Sequence, residues 1–312
     1  MEYLWLVIGF ALLIKGADIF VDGASSVAGK LKIPSLIIGL TVVSMGTSMP
    51  EAAVSISASL SGNNGISLGN VIGSNIFNLL VVVGASSIIL PIFTDRDIIK
   101  RDMPINIAIT AGLCVMLFDG NLSRLDAAIL LVLFAAYMFI LIRSALKNRV
   151  EGPAQKTLSW PKSILFILAG AAAIIGGGQM VVNSAKVIAA ALGMGETLIG
   201  LTVVAIGTSL PELVTSIVAA RKGDSGIAMG NVVGSNIFNI LFILGLAGVI
   251  SPMTADAAFF IDTGILIAVS AMMMIFAFTR RKTGRAEGAI SVLVYVAYTA
   301  YIIMRAFHIW VF

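Results

Sequence analysis

Apolar residues run along this chain in long blocks separated by short polar breaks. A membrane span needs roughly 20 consecutive apolar residues. Ten blocks approach that length, at 3–28, 35–60, 66–91, 103–119, 123–145, 163–190, 197–220, 227–250, 258–279 and 288–310. The pattern predicts an all-α polytopic membrane protein of ten transmembrane helices, with no room for a soluble domain. The longest polar interval, 146–162, contains Lys147, Arg149, Glu151, Gly152, Pro153, Lys156 and Pro161. It divides the chain into two five-span halves, 1–145 and 163–312.

One polar segment interrupts the apolar pattern twice. Gly46-Thr47-Ser48-Met49-Pro50-Glu51 is followed by Gly69-Asn70-Val71-Ile72-Gly73-Ser74-Asn75-Ile76-Phe77-Asn78. The same motif returns 161 residues later as Gly207-Thr208-Ser209-Leu210-Pro211-Glu212 and Gly230-Asn231-Val232-Val233-Gly234-Ser235-Asn236-Ile237-Phe238-Asn239. Residues 36–80 align with 197–241 without a gap, and 27 of the 45 pairs are identical. Two related halves with polar, helix-breaking segments at matching places are the sequence pointer to a secondary transporter's binding site.

Five spans per half is an odd number. If the halves share a fold, the second enters the bilayer from the opposite side, giving an inverted repeat. The loops after spans 1, 3, 5, 7 and 9 carry 16 Lys and Arg residues, against three (Arg124, Lys186, Arg305) on the other side. Positive charge marks the cytoplasmic face. The 146–162 linker is therefore expected in the cytoplasm, and both termini outside it. The membrane expected is the plasma (inner) membrane of a prokaryotic-type cell.

Composition agrees and closes off other chemistry. Hydrophobic residues make up 59% of the 312 and charged residues 12%, about half the share in a soluble domain. The net charge of +4 thus belongs to cytoplasmic loops and implies no nucleic-acid partner. Cys114 is the single cysteine and His308 the single histidine. Cysteine or histidine metal sites and Ser-His catalysis lack their parts. No enzyme activity, no cofactor and no obligatory protein partner are expected.

The motif's residues fit together chemically. Pro50 and Pro211 cannot donate a backbone hydrogen bond, so the carbonyls of Gly46 and Gly207 are freed. Glu51 and Glu212 then begin the second half of a broken helix, where unpaired N–H groups favour a negative charge. An acid at mid-membrane costs about 2.5–3.5 kcal/mol on the lenient insertion scale. Two facing acids repel, so a cation or a proton between them is required. Ser55 and Ser216 continue each polar face at i+4.

Asn70, Ser74 and Asn78 step by four along one helix face, as do Asn231, Ser235 and Asn239. Gly69, Gly73, Gly230 and Gly234 form small-residue edges for close helix contact. Glycine edges, single hydroxyls and proline kinks taken alone are ordinary packing features; their joint duplication is not. The donor set is all oxygen, which suits hard cations such as Ca²⁺ or Na⁺ better than Mg²⁺. Lys15, Asp18 and Asp22 lie on or near one face of span 1 and read as a local i,i+3 ion pair rather than as a gate or access-path patch. Met272–Met274 read as lipid-facing or packing residues.

GTSxPE paired with GNxxGSNxFN, twice, in two five-span halves, resembles the α-repeats of the Na⁺/Ca²⁺ exchanger family within the calcium/cation antiporter superfamily. The resemblance covers nearly the whole chain. It implies ten helices in two inverted-topology repeats, with broken helices 2 and 7 at a cluster of four ion sites. The α-repeats fall at about 36–80 and 197–241. By matching motif positions, Glu51 and Glu212 resemble ligands of both Ca²⁺ and Na⁺. Thr47 and Thr208 would contribute carbonyls and side chains, and Ser48, Ser209, Ser74 and Ser235 would bind Na⁺. Ser44 and Ala205 fall where the family offers carbonyls, and Asn78 matches an asparagine of the middle site.

Asn239 departs from an archaeal member that has Asp there, leaving two carboxylates in this chain. The large cytoplasmic regulatory loop of animal exchangers is also missing, so no Ca²⁺-sensor domain is expected. The function implied is Na⁺ for Ca²⁺ antiport by alternating access, with spans 1 and 6 sliding across a fixed site. A Ca²⁺/H⁺ antiporter is the alternative in the same class, and a cation channel is the alternative from another.

Overall fold

A computed structural model describes residues 1–148, 157–193 and 205–306. The fold is helical. Its elements are α1 (Glu2–Leu31), α2 (Ser35–Thr47), α3 (Met49–Leu60), α4 (Asn64–Ile89), α5 (Ile98–Asp119), α6 (Arg124–Lys147) and α7 (Trp160–Ala191). They continue as α8 (Ala205–Thr208), α9 (Leu210–Arg221), α10 (Ser225–Ile250), α11 (Ala257–Arg280) and α12 (Arg285–Ala306). Among the described residues eight helices are long and apolar enough to cross a membrane. The bent pair α2 and α3 makes a ninth when taken as one span. The predicted span 197–220 is described only from Ala205 onward.

Two antiparallel ladders, two residues to a strand, tie distant loops together. β1 (Ile92–Phe93) pairs with β4 (Lys282–Thr283), and β2 (Asn121–Leu122) with β3 (Met253–Thr254).

The two helices that carry GNxxGSNxFN are the centre of the bundle. In α4 and α10, 72% and 78% of the most apolar stretch is buried, against at most 33% in the other spanning helices. This explains why they tolerate so many polar groups: the surroundings are protein, not lipid. Outer helices keep local signals at their ends. Ser123 and Asp126 form a reciprocal capping box that starts α6, and Asp256 caps α11.

Glycines let the long helices come close. α1 and α7 cross along a seam of Gly9, Gly16, Gly170 and Gly177, spaced seven residues, about two turns. A Cβ on Gly177 would lie 2.7 Å from the Gly9 carbonyl oxygen, and one on Gly9 2.9 Å from that of Gly177. In α10, Gly230 and Gly234 let α2 pack with its backbone against them, at 2.8 Å from Leu36 O and Leu40 Cα respectively. The counterparts of that stretch of α2 in the second repeat, 197–201, lie outside the described residues.

Candidate functional site

The site begins at two matching helix breaks. α2 gives way to α3 at Ser48 with a bend of 50°, and Ser48 takes φ −83°, ψ 9°. Ser209, between α8 and α9, takes φ −94°, ψ 7°. Both conformations lie in the sparsely populated bridge region. The cause is the following proline, which cannot donate to the carbonyl four residues back. Phe20 of α1 packs on the first break, since a Cβ on Gly46 would lie 3.0 Å from its ring. Val182 of α7 packs on Gly207 at the second.

Past each proline stands a glutamate. Glu51 and Glu212 are fully buried, and their charges interact. Each stands in the first turn of the new helix. The side-chain partners are crossed. Ser48 Oγ donates to Glu212 Oε1 at 2.8 Å, and Ser209 Oγ donates to Glu51 Oε1 at 3.0 Å. Ser74 Oγ lies 3.5 Å from Glu51 Oε1, and Ser235 lies beside the Glu212 carboxylate. In both carboxylates Oε2 is buried with no hydrogen-bond donor among the described residues.

Asparagines build the floor of this arrangement. Asn75 Nδ2 donates to the backbone oxygen of Asn236 at 3.1 Å, and Asn236 Nδ2 to that of Asn75 at 3.2 Å. Asn78 Nδ2 donates to Asn236 Oδ1 at 3.2 Å, and Asn239 Nδ2 to Asn75 Oδ1 at 3.0 Å. The Oδ1 atoms of Asn78 and Asn239 are buried without a donor among the described residues. Helix geometry changes at the same two residues. π-helical turns begin at Asn78 and Asn239, covering Asn78–Val82 in α4 and Asn239–Leu244 in α10. Such widened turns are frequent at functional sites.

Asn70 and Asn231, read from sequence as part of an oxygen stripe, act as braces instead. Asn70 Nδ2 donates to Glu51 O (3.1 Å) and Ser55 Oγ (2.9 Å). Asn231 Nδ2 donates to Glu212 O (3.3 Å) and Ser216 Oγ (3.0 Å), while its Oδ1 accepts from Thr47 Oγ1 at 2.9 Å. Ser55 and Ser216 are thus consumed in bracing the broken helices.

The remaining sequence candidates fall close by. Ser44 is buried, and its carbonyl accepts from Ser235 Oγ at 3.4 Å. Thr208 is buried, and Ala205 opens α8. Sequence reasoning passed over Asn75 and Asn236, although both stand in the repeated motif. Asp18 and Asp22 also differ from expectation. Their ion-pair partner is Lys222, at 2.8 and 2.6 Å, rather than Lys15, which is exposed. A cation at mid-chain reaches them because the α9–α10 turn lies against α1.

Chemically, the arrangement offers two carboxylates and a set of neutral oxygens. Among the described residues no three His, Cys, Asp or Glu side chains converge to hold a metal. Amide, hydroxyl and carbonyl oxygens must therefore supply most of any coordination shell. That donor set suits a hard cation.

Comparison with known proteins agrees with this chemistry. The family model described as "Sodium/calcium exchanger protein" matches twice, over residues 1–143 and 162–304. The sodium/calcium exchanger MaX1 of Methanosarcina acetivorans is 36% identical over 346 aligned positions, covering 96% of this chain and 97% of that protein. Inner membrane protein YrbG of Escherichia coli is 36% identical, covering 91% of each chain. The structure of the sodium-calcium exchanger NCX_Mj soaked with Na⁺ and Sr²⁺ superposes with a TM-score of 0.84 at 33% identity, covering 96% of this chain and 97% of that one. The fold and the site define a multi-pass membrane protein of the cation-exchanger class. The chain belongs to the sodium/calcium exchanger family.

Proposed function

We propose that this protein is a secondary antiporter that exchanges Na⁺ for Ca²⁺ by alternating access. One observation carries the reading. Two buried glutamates, each clasped by a serine of the other motif copy, present carboxylate oxygens with no donor among the described residues, and the buried amide oxygens of Asn78 and Asn239 are in the same state. A desolvated oxygen with no donor costs free energy unless a cation or proton meets it. One Ca²⁺ neutralises the pair; several Na⁺ on overlapping oxygens do so as well. Because both ions use the same oxygens, their occupancies exclude each other, and that competition couples the fluxes.

In this reading the ligands are Glu51, Glu212, Asn78 and Asn239 at the centre. Ser48, Ser209, Ser74, Ser235, Thr47 and Thr208 stand around them, and Ser44 and Ala205 contribute carbonyls. Ten spanning helices form two inverted five-helix repeats, 1–145 and 163–312, joined by the cytoplasmic linker 146–162. The twofold match to the family model supports this division. Spans 2 and 7 are the broken helices. Both termini lie outside the cytoplasm, and YrbG's description as an inner membrane protein supports a plasma (inner) membrane location. α1 and α7, joined by their glycine seam, move as one body across the site.

The test is Ca²⁺ uptake into proteoliposomes under an outward Na⁺ gradient, with Glu51→Gln and Glu212→Gln beside the unaltered protein. Uptake that needs Na⁺ and is lost in both variants is expected. Folded protein that takes up Ca²⁺ only under a pH gradient would establish the H⁺-coupled alternative instead. Flux above a few thousand ions per second with no counter-ion would establish a channel.

A further inference from the structure

The orientation of an asparagine amide is set by its neighbours, and here a chain of donors and acceptors sets it without ambiguity. A backbone carbonyl can only accept. Asn236 therefore turns Nδ2 toward the carbonyl oxygen of Asn75, at 3.2 Å, and its Oδ1 is left facing Asn78. Asn78 must answer with Nδ2, at 3.2 Å, which leaves its Oδ1 turned away from Asn236 and without a donor among the described residues. The same logic runs the other way. Asn75 Nδ2 is held by the Asn236 carbonyl at 3.1 Å, its Oδ1 accepts from Asn239 Nδ2 at 3.0 Å, and Asn239 Oδ1 is left without a donor. All four side chains are fully buried.

We infer that Asn75 and Asn236 are positioning residues. Each fixes the amide of the asparagine three residues further on in the opposite repeat, so that an oxygen and not an NH₂ group faces the cation. The inference rests on the site proposed above. It adds a rule of pairing: Asn75 acts through Asn239, and Asn236 through Asn78, each across the boundary between repeats. With Asn75 replaced by an apolar group, the Asn239 amide loses the one side-chain acceptor that the described residues give it. Its NH₂ group is then free to rotate inward, where it repels a cation.

The test is a pair of double-mutant cycles read by Na⁺-driven ⁴⁵Ca²⁺ uptake in proteoliposomes, with apparent KM and maximal rate measured separately. Asn75→Leu is expected to raise the apparent KM for Ca²⁺ on the order of tenfold, within the range of couplings between residues in contact. The maximal rate should stay within about twofold, on the same principle of a local effect. In an Asn239→Ala background the further change Asn75→Leu should leave KM unaltered. In an Asn78→Ala background it should act at full strength.

A packing role alone would multiply equally in both backgrounds, and that outcome overturns the inference. So would coupling of Asn75 to Asn78 rather than to Asn239. If Asn75→Leu does not elute as a monodisperse peak in gel filtration, the mirror cycle of Asn236→Leu with Asn78→Ala and Asn239→Ala carries the same decision. Unaltered protein and Glu51→Gln are run alongside. If these lack Na⁺-dependent flux and its loss, the exchange reading fails; if they behave and the couplings are missing, only the positioning role fails.

Discussion

Ser48 and Glu212 are 164 positions apart in sequence, yet the serine hydroxyl donates to the glutamate carboxylate at 2.8 Å. Ser209 returns the contact to Glu51 at 3.0 Å. Each carboxylate is therefore held by the helix break of the other motif copy, so a change at one break is felt at the opposite acid. A hydrogen bond to a charged group contributes about 1.5–3 kcal/mol. Ser48→Ala should accordingly weaken apparent Ca²⁺ affinity by roughly tenfold or more, a factor of ten being about 1.4 kcal/mol. The measurement is the KM for ⁴⁵Ca²⁺ uptake. An unchanged KM in folded protein would show that the hydroxyl does not tune the carboxylate.

Asn231 joins three elements: it donates to Glu212 O and Ser216 Oγ in α9 and accepts from Thr47 Oγ1 in α2. None of these bonds leaves an oxygen turned toward the carboxylates. Asn231→Leu should thus act on stability before it acts on ion choice. Stranding buried polar partners costs about 1–3 kcal/mol each. A lowered melting midpoint in detergent is expected, with the ratio of Na⁺ to Ca²⁺ affinities held. A shift in that ratio at unchanged melting would make Asn231 a ligand after all.

The repeated motif pointed to the two glutamates, which the structure buries against serines of opposite motif copies, and to the prolines beside them. These are local consequences of residue type: a missing N–H at Pro50 and an apolar flank around Glu51 operate wherever the chain folds. Partner choice is not local. Nothing near Ser48 in the chain says that its acceptor is Glu212, because that contact exists only once two repeats interlock. Asn75 escaped notice for the same reason. It lies off the Asn70, Ser74, Asn78 face by one residue, about 100° around the helix, and among the described residues its side chain bonds Asn236 and Asn239 of the other repeat.

Asn70 and Asn231 carry contacts that their spacing did not announce. Spacing put them in line with Asn78 and Asn239, but their Nδ2 groups donate to the backbone oxygens of Glu51 and Glu212 across the helix pair. The π-helical turns at Asn78 and Asn239 also left no mark in the apolar pattern.

The glycine seam between α1 and α7 gives a sharp contrast between neighbours. A methyl group on Gly177 would meet the Gly9 carbonyl oxygen at 2.7 Å, whereas one on Gly176 meets nothing within 4 Å among the described residues. A backbone atom cannot swing aside as a side chain can. Gly177→Ala should therefore push the two long helices apart, lowering both the melting midpoint and the transport rate. Gly176→Ala should leave both near their original values, aside from the small gain in helix propensity. Equal behaviour of the two variants would remove the argument that α1 and α7 move as one packed body.

The α9–α10 turn fastens the C-terminal half of α1. Lys222 Nζ reaches Asp18 Oδ1 at 2.8 Å and Asp22 Oδ1 at 2.6 Å. Two residues on, Asp224 accepts from Ser25 Oγ at 3.1 Å and from Ser35 Oγ at 2.7 Å. The corresponding turn of the first repeat reads Ser61-Gly62-Asn63, with no charge at either position. Both turns use a glycine at positive φ, 74° at Gly62 and 79° at Gly223, so the backbone is shared and only the charges differ. One partly exposed ion pair contributes about 1 kcal/mol or less. A cation shared by two carboxylates and backed by two further hydrogen bonds holds more firmly. Lys222→Ala should speed amide hydrogen exchange in residues 18–31 while leaving 2–12 unchanged, and Asp224→Asn should do the same more weakly. High salt should bring unaltered protein toward the variant, because exposed charges are screened over about 10 Å at 0.1 M. Exchange that rises uniformly along α1, or not at all, would mean that the charges decorate this end of the helix without restraining it.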